Sequence, residues 1–181
     1  CLEPLMDSLK TTGCEIIVRP HPQEVRLKRE YMNSLKARYA ADGIEIQTDF
    51  TSNNPVMEAD LLVTDWSDIS WEYAFTTLRP VLYINTSMKV MNPEWQKIAY
   101  PPLNIFLRDQ LGISLDMDQL DKAGEMAQHL LDHTDAYREK INELAHEYIY
   151  NLGSSAEAGG RYMIKTVKNK IQMKGNKGNE K

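Results

Sequence analysis

The sequence predicts an α/β fold in which a parallel sheet is covered by helices on both faces, with further helices at the C-terminal end. Between residues 15 and 85, short apolar runs alternate four times with segments of helical periodicity. The runs are apolar throughout rather than alternating, which is typical of strands buried on both faces of a parallel sheet. Gly and Pro separate the segments and indicate where each element ends.

The first predicted helix covers residues 2–10, because its apolar side chains recur every three to four residues. Gly13 follows, a residue type that is common just after a helix. The β-branched run 15–19 predicts the first strand, and the prolines beside His21 end it. Residues 24–39 are predicted to be helical, because their apolar side chains recur every four residues.

Five further elements follow in the next forty or so residues. A short strand over 44–46 comes after a turn, and 53–59 predicts one short helical turn. The run 60–64 is the clearest strand of the chain, because it is short, apolar and followed by a polar turn. A short helix over 69–76 ends before a proline, and 81–85 is the next strand.

The rest of the chain is predicted to contain a long irregular connection over 86–112 and then three helices, over 118–131, 135–150 and 155–171. We expect one domain over residues 1–167, followed by a Lys-rich tail over 168–181 that is disordered. Because the first residue is Cys1 rather than Met, we expect the chain to be a piece of a longer protein.

The composition excludes several classes of function. With 42% hydrophobic and 26% charged residues, the chain resembles ordinary globular proteins. Its net charge is −5, yet residues 168–181 hold five Lys and only one Glu. The rest of the chain is therefore strongly acidic. General nucleic-acid binding, which needs a basic surface, is not expected. No apolar run approaches the roughly 20 residues of a membrane span. The two cysteines form no metal or disulfide framework, and we expect Cys14 to be buried in a cytoplasmic protein.

Three polar segments follow predicted strands, at 19–22, 64–68 and 85–87. In an open parallel sheet, ligands bind at the carboxyl ends of the strands, so these segments are the first place to expect a site. The sequence contains no P-loop, no G-x-G-x-x-G and no G-x-S-x-G. Nucleophilic hydrolases and dinucleotide oxidoreductases therefore lack support, and neither a cofactor nor a metal is expected.

The middle segment offers a phosphate site at the start of a helix. Hydroxyls of Thr64, Ser67 and Ser70 would lie beside unpaired N–H groups and the positive end of the helix dipole. The simpler alternative is that Ser67 or Asp68 only caps the helix. The Asp68 carboxylate would repel a phosphate unless it points away. Glu72 would accept hydrogen bonds from a ribose, or it is a solvated carboxylate.

Other candidate residues lie outside that turn. His21 would donate to a phosphate oxygen or act as a general acid, with a structural loop histidine as the alternative. Arg19 would pair with a phosphate or with a carboxylate. Arg161 lies near the start of the last predicted helix. It would contribute to a second anion site there, or else the serines at that point only cap the helix. His129 and His133 have the spacing of a metal-binding pair, although two solvated histidines are the simpler interpretation.

Three segments, taken in order, resemble the C-terminal half of the CDP-glycerol glycerophosphotransferases, the teichoic-acid primase and polymerase family. They are 19–22 (Arg-Pro-His-Pro), 59–74 (from Ala-Asp-Leu-Leu-Val-Thr-Asp to Trp-Glu-Tyr-Ala) and 79–83 (Arg-Pro-Val-Leu-Tyr). The resemblance implies a GT-B fold of two Rossmann-like domains, the C-terminal one binding the nucleotide donor. Such enzymes transfer glycerol phosphate from CDP-glycerol to a membrane-linked polymer acceptor and release CMP. The implied partner domain is the amino-terminal GT-B domain of the same protein, and the implied location is cytoplasmic or peripheral at the plasma membrane.

Carried over by resemblance, His21 is the catalytic histidine. The donor-binding and phosphate-binding set is Arg19, Thr64, Ser67, Asp68, Ser70, Glu72 and Arg161. The family usually has Tyr, Ser and Phe where Trp66, Asp68 and Trp71 stand here. These differences leave open a nucleotide-sugar glycosyltransferase or epimerase-like enzyme of surface polysaccharide synthesis. A non-catalytic α/β assembly module is the third hypothesis.

Overall fold

The computed structural model describes residues 2–88, 92–100 and 102–178, with side chains described up to residue 172. The chain forms two compact units, Cys1–Asn142 and Glu143–Lys181, and each is treated by itself below. This division comes earlier in the chain than the predicted end of a single domain at residue 167.

The strands of the first unit are parallel and form two small sheets. β1 (Ile17–Val18) pairs with β2 (Glu45–Ile46). β3 (Leu62–Thr64), β4 (Val81–Asn85) and β5 (Gly112–Asp116) form the second sheet in that order, with β4 in the centre. The predicted α/β class with parallel strands is confirmed.

Helices connect and follow the strands. They are α1 (Leu2–Leu9), α2 (Pro22–Leu27), α3 (Arg29–Tyr39), α4 (Asn54–Glu58), α5 (Ile69–Thr77), α6 (Leu103–Phe106), α7 (Arg108–Leu111), α8 (Ala123–Asp132), α9 (Thr134–Tyr148) and α10 (Ser155–Gly178). The boundary between the two units falls within α9. Among the residues that the structure describes, no helix has both the length and the apolar character needed to cross a bilayer.

The core of the first unit consists of two hydrophobic clusters. In one, Leu82 and Ile84 of β4 belong to the same cluster as buried residues of β5 and α8. In the other, α3 and β2 bury side chains such as Leu35 and Ile46. Ile16, just before β1, packs against both clusters, so the two sheets share a continuous apolar interior.

β5 was not predicted from the sequence. Only its first residue belongs to the connection predicted to be irregular, and no element was predicted between that connection and the helix expected from residue 118. Its first residue, Gly112, pairs with Val81 so closely that an added Cβ would lie 1.7 Å from the Val81 carbonyl oxygen. Only glycine avoids that overlap. The run from Gly112 to Asp116 has one β-branched residue, and its pairing with the fully buried β4 makes it a strand.

Three other expectations differ from the structure. The predicted helix over 24–39 is two helices, α2 and α3, separated at Lys28, whose φ of −123° and ψ of 45° are not helical. Cys14 is exposed rather than buried. α10 continues as a helix to Gly178, through much of the segment expected to be disordered, and residues 179–181 lie outside the described residues.

Candidate functional site

A buried arginine lies where β3 and β4 end. Arg108, at the start of α7, is only 4% exposed. Its Nη1 donates to the carbonyl oxygen of Asp65 at 2.7 Å, and its Nη2 donates to Oδ1 of Asn85, also at 2.7 Å. Asp65 directly follows β3, and Asn85 is the last residue of β4. One guanidinium therefore fixes the ends of two neighbouring strands.

Two aromatic rings complete the surroundings of that guanidinium. Its central carbon lies 3.9 Å from the ring centroid of Trp66 and 4.4 Å from that of Tyr83, distances typical of cation–π contacts. Burial lowers the pKa of Arg108, while the nearby Tyr83, Asp109 and Asp65 oppose that shift. Because an arginine keeps its proton in proteins, a positive charge remains beneath this edge of the sheet.

Further hydrogen bonds connect the turn after β3 to its neighbours. The Trp66 Nε1–H donates to the Thr86 carbonyl at 2.7 Å, and the Asn104 amide donates to the Trp66 carbonyl at 2.9 Å. Asn85 Nδ2 donates to Oδ1 of Asp116, at the end of β5, at 2.7 Å. The carboxyl ends of all three strands in this sheet are thus joined through side chains.

The start of α5 carries most of the predicted phosphate-binding residues. Ser67 is exposed, and its Oγ accepts a long hydrogen bond of 3.5 Å from the Ile69 N–H. Asp68 occupies the N-cap position but makes no capping hydrogen bond with its side chain. Asp68 and Glu72 are both exposed, and Thr64 is half-buried. Ser67 is therefore the hydroxyl best placed to meet a ligand from solvent.

Ser70 lies inside the protein instead. Its side chain is buried, and among the described residues its Oγ has no partner that meets hydrogen-bond geometry. The same holds for the buried Tyr83 hydroxyl, although the Ser70 hydroxyl lies close enough to affect its pKa. Burial raises the pKa of Tyr83 to about 12, and the neighbouring Ser70 hydroxyl and Arg108 act against that shift. In this structure Ser70 faces the interior beside Tyr83 and is not accessible to a phosphate.

The loop after β1 places His21 at the surface. His21 is the N-cap of α2, and its Nδ1 accepts a hydrogen bond of 3.2 Å from the Gln23 N–H. A neutral imidazole that accepts at Nδ1 carries its proton on Nε2. The exposed ring therefore presents its Nε2–H to solvent, as a phosphate ligand requires, whereas a general acid would need the imidazolium form.

Arg19 is occupied within the protein. Its Nη2 donates to the Ser52 carbonyl at 2.9 Å, and its guanidinium lies 5.6 Å from the ring centroid of Phe50. Its Nη1 is buried and has no hydrogen-bond partner among the described residues. Arg19 also helps to lower the pKa of the Asp49 carboxyl, after the larger effect of hydrogen bonds from Thr51. The pairing of Arg19 with a phosphate stays a prediction.

The structure brings together only part of the predicted set. Within the described residues, no hydrogen bond or ion pair joins His21 or Arg19 to the turn between β3 and α5. Arg161 lies on α10 in the second unit, where it is exposed and forms an ion pair with Glu157. Its one ion pair among the described residues is therefore with a residue of its own helix.

The rings of His129, on α8, and His133, which directly follows that helix, stack on each other. The ring centroids of His129 and His133 lie 4.2 Å apart, and Nδ1 of His133 lies 2.7 Å from the His129 carbonyl oxygen. In the part of the chain that the structure describes, no group of three or more His, Cys, Asp or Glu side chains is arranged to hold a metal.

The sequence analysis missed Arg108, Asn104 and Asp116, three of the residues that order this edge. All three lie in or just after the segment predicted to be irregular. The available signal was weak, because Arg108 stands among several apolar residues but directly before Asp109 and Gln110, as a surface arginine would.

Comparison with known proteins adds no relative: no family model, no curated protein and no solved structure matches this chain.

Two buried tyrosines provide a matched test of this interior. The Tyr73 hydroxyl donates to the Ala59 carbonyl at 2.8 Å, whereas the Tyr83 hydroxyl has no partner of hydrogen-bond geometry among the described residues. We expect Tyr73→Phe to lower the free energy of unfolding by about 1 kcal/mol at pH 8, because a hydrogen bond is lost. Tyr83→Phe should leave it unchanged or raise it. Urea denaturation measures both, and an equal loss in the two variants would contradict the structure.

The same variants give a pH test. Burial raises the pKa of both Tyr73 and Tyr83 to about 12, above the ordinary value of 10.0. The stabilisation that accompanies a raised tyrosine pKa is complete below pH 10 and is lost as the pH rises towards 12. We therefore expect the free energy of unfolding to fall over that range, and to fall less steeply in each Phe variant. Identical slopes in all three proteins would show that these tyrosines are not buried.

Proposed function

We propose that this chain is the nucleotide-donor-binding domain of a GT-B-type transferase. In this proposal, the complete enzyme moves glycerol phosphate from CDP-glycerol to a membrane-linked polymer acceptor and releases CMP. The reaction proposed is the one that the resemblance of segments 19–22, 59–74 and 79–83 implies. The observation that carries the proposal is the ordered turn between β3 and α5, which Arg108 holds in place beneath an exposed Ser67.

The turn has the properties that a diphosphate needs. The first N–H groups of α5 make only long hydrogen bonds to the turn. Ile69 donates to Ser67 Oγ at 3.5 Å, Ser70 to the Ser67 carbonyl at 3.3 Å and Glu72 to the Asp68 carbonyl at 3.5 Å. The helix dipole places partial positive charge at the same end. The exposed Ser67 hydroxyl adds a further donor beside them. Because Arg108 and Asn104 bind the carbonyls of Asp65 and Trp66, the turn is already ordered before a ligand arrives. A preordered donor set costs little to bring into position.

The chemistry would rest on positioning. An acceptor hydroxyl would attack the β-phosphorus in line, and CMP would leave with the electrons of the broken P–O bond. The Nε2–H of the neutral His21 ring would donate a hydrogen bond to the phosphate or the leaving group. To give up a proton, the ring would first have to become an imidazolium, which would lose the hydrogen bond that Nδ1 accepts from Gln23. The base that takes the acceptor proton would lie in the amino-terminal GT-B domain.

Asp68 favours a second candidate. It is exposed at the N-cap position of α5, where the resembling family usually has serine. A carboxylate there offers an acceptor for the hydroxyl groups of a sugar. A nucleotide-sugar glycosyltransferase or epimerase-like enzyme of surface polysaccharide synthesis therefore remains the alternative.

Donor binding distinguishes these candidates. We expect calorimetric titration of the chain to show tighter binding of CMP and CDP-glycerol than of UDP and UDP-glucose. Ser67→Ala should weaken CDP-glycerol binding about tenfold, because a hydrogen bond to a charged group is lost. Thr76→Ala is the matched control, since Thr76 is an exposed hydroxyl near the other end of α5. It should bind as the parent does.

The other outcomes of this titration are equally informative. A preference for uridine nucleotides would favour the sugar-transfer candidate. Failure to bind any nucleotide, even with the amino-terminal domain joined, would contradict the proposal and favour the assembly module.

A test of the catalytic role of His21 requires a variant that still caps α2. His21 caps α2 through Nδ1, and asparagine is a good N-cap residue that lacks an imidazole. In the two-domain enzyme, His21→Asn should lower turnover about 100-fold or more while leaving the thermal midpoint unchanged. Turnover equal to that of the parent would show that the histidine is only a loop residue.

A further inference from the structure

One face of α10 exposes a row of apolar side chains. Met163, Ile164, Val167 and Ile171 are 64%, 59%, 55% and 65% exposed. Residues three, four and seven apart share a face of a helix, so these four side chains form one stripe about 100° wide. Such a stripe is usually buried against a partner, and in this structure it is open to solvent.

Basic side chains flank the stripe. At about 100° per residue, Lys168 and Lys170 fall on its two sides, and Arg161 and Lys165 lie beyond Lys168. No Asp or Glu occurs from residue 158 to residue 179. A shallow groove runs along the Lys168 side, lined by Arg161, Ile164, Lys165, Lys168, Asn169 and Gln172.

We propose that this face of α10 binds the surface of an anionic lipid bilayer, with the helix lying in the plane of the interface. The apolar stripe would enter the boundary between headgroups and acyl chains. The lysine stems would lie along that boundary while their ammonium groups reach the lipid phosphates. Charge complementarity identifies the occupant, because the stripe lies within a segment that carries only positive charge.

Other occupants fit these features less well. A second copy of the chain would bring two basic helices together, and like charges facing each other oppose association. A nucleic acid or another polyanion would use the lysines but would gain nothing from the four exposed apolar side chains. The proposal is independent of the proposed function, since it uses no residue of the first unit.

Co-sedimentation with vesicles tests the proposal on the whole chain. We expect at least tenfold stronger partitioning to vesicles of equal parts phosphatidylglycerol and phosphatidylcholine than to vesicles of phosphatidylcholine alone, at 50 mM salt. Each Lys→Gln change at Lys168 or Lys170 should weaken binding about fivefold. At 500 mM salt the preference for anionic vesicles should largely disappear.

The apolar contribution has a matched control on the same helix. Val167→Ser combined with Ile171→Ser should lower partitioning to anionic vesicles at least tenfold. Tyr162→Ser removes an apolar residue that is 71% exposed but lies away from the stripe, and it should bind vesicles as the parent does. Circular dichroism of each variant checks that the helix content is retained.

Four results would overturn the proposal. Two concern the parent chain: equal binding to neutral and anionic vesicles, or no binding to either. The third is an equal loss of vesicle partitioning in the Tyr162 variant and in the Val167/Ile171 variant. The fourth is a dimer in sedimentation velocity that the Val167/Ile171 change dissociates. Binding of the chain to heparin without binding to vesicles would likewise show a polyanion site instead of a membrane site.

Discussion

The buried guanidinium of Arg108 is the contact on which this edge of the sheet depends. Within the described residues it has no carboxylate at ion-pair distance, so its charge is balanced by the Asp65 carbonyl, the Asn85 amide oxygen and two ring faces. Removing a cation from water costs several kcal/mol unless such partners are in place. Arg108 therefore requires the strand ends, the turn after β3 and α7 to adopt their positions together.

The turn between β3 and α5 has an ordered, buried side and an exposed side. Beneath the turn lie Arg108, Ser70 and Tyr83, which are buried and closed to solvent. Above it lie Ser67 and Asp68, which are exposed and bound only weakly by the protein. A surface turn that is ordered from below suits the recognition of a small anionic ligand, because the protein has already met the entropic cost of ordering it.

The sequence predicted those parts of the structure that local patterns decide. β4 was predicted with its observed bounds, since an apolar run and a preceding proline define it. The polar segments 64–68 and 85–87 begin with the last residues of β3 and β4, as expected for the carboxyl ends of strands. β5 was missed because its pairing with β4, rather than its composition, makes it a strand. Arg108 was missed because its partners are 23 and 43 residues away in sequence, and a lone arginine on a short helix resembles a surface residue.

The most direct test of this account compares Arg108→Lys with Arg138→Lys by urea denaturation. Lysine keeps the charge but has neither the planar group that stacks between rings nor the fork that donates to two acceptors. We expect Arg108→Lys to lower the free energy of unfolding by about 3 kcal/mol. Arg138, half-exposed and 3.6 Å from Asp135, should tolerate the change within about 0.5 kcal/mol. Equal, small effects of the two substitutions would contradict the central role given to Arg108.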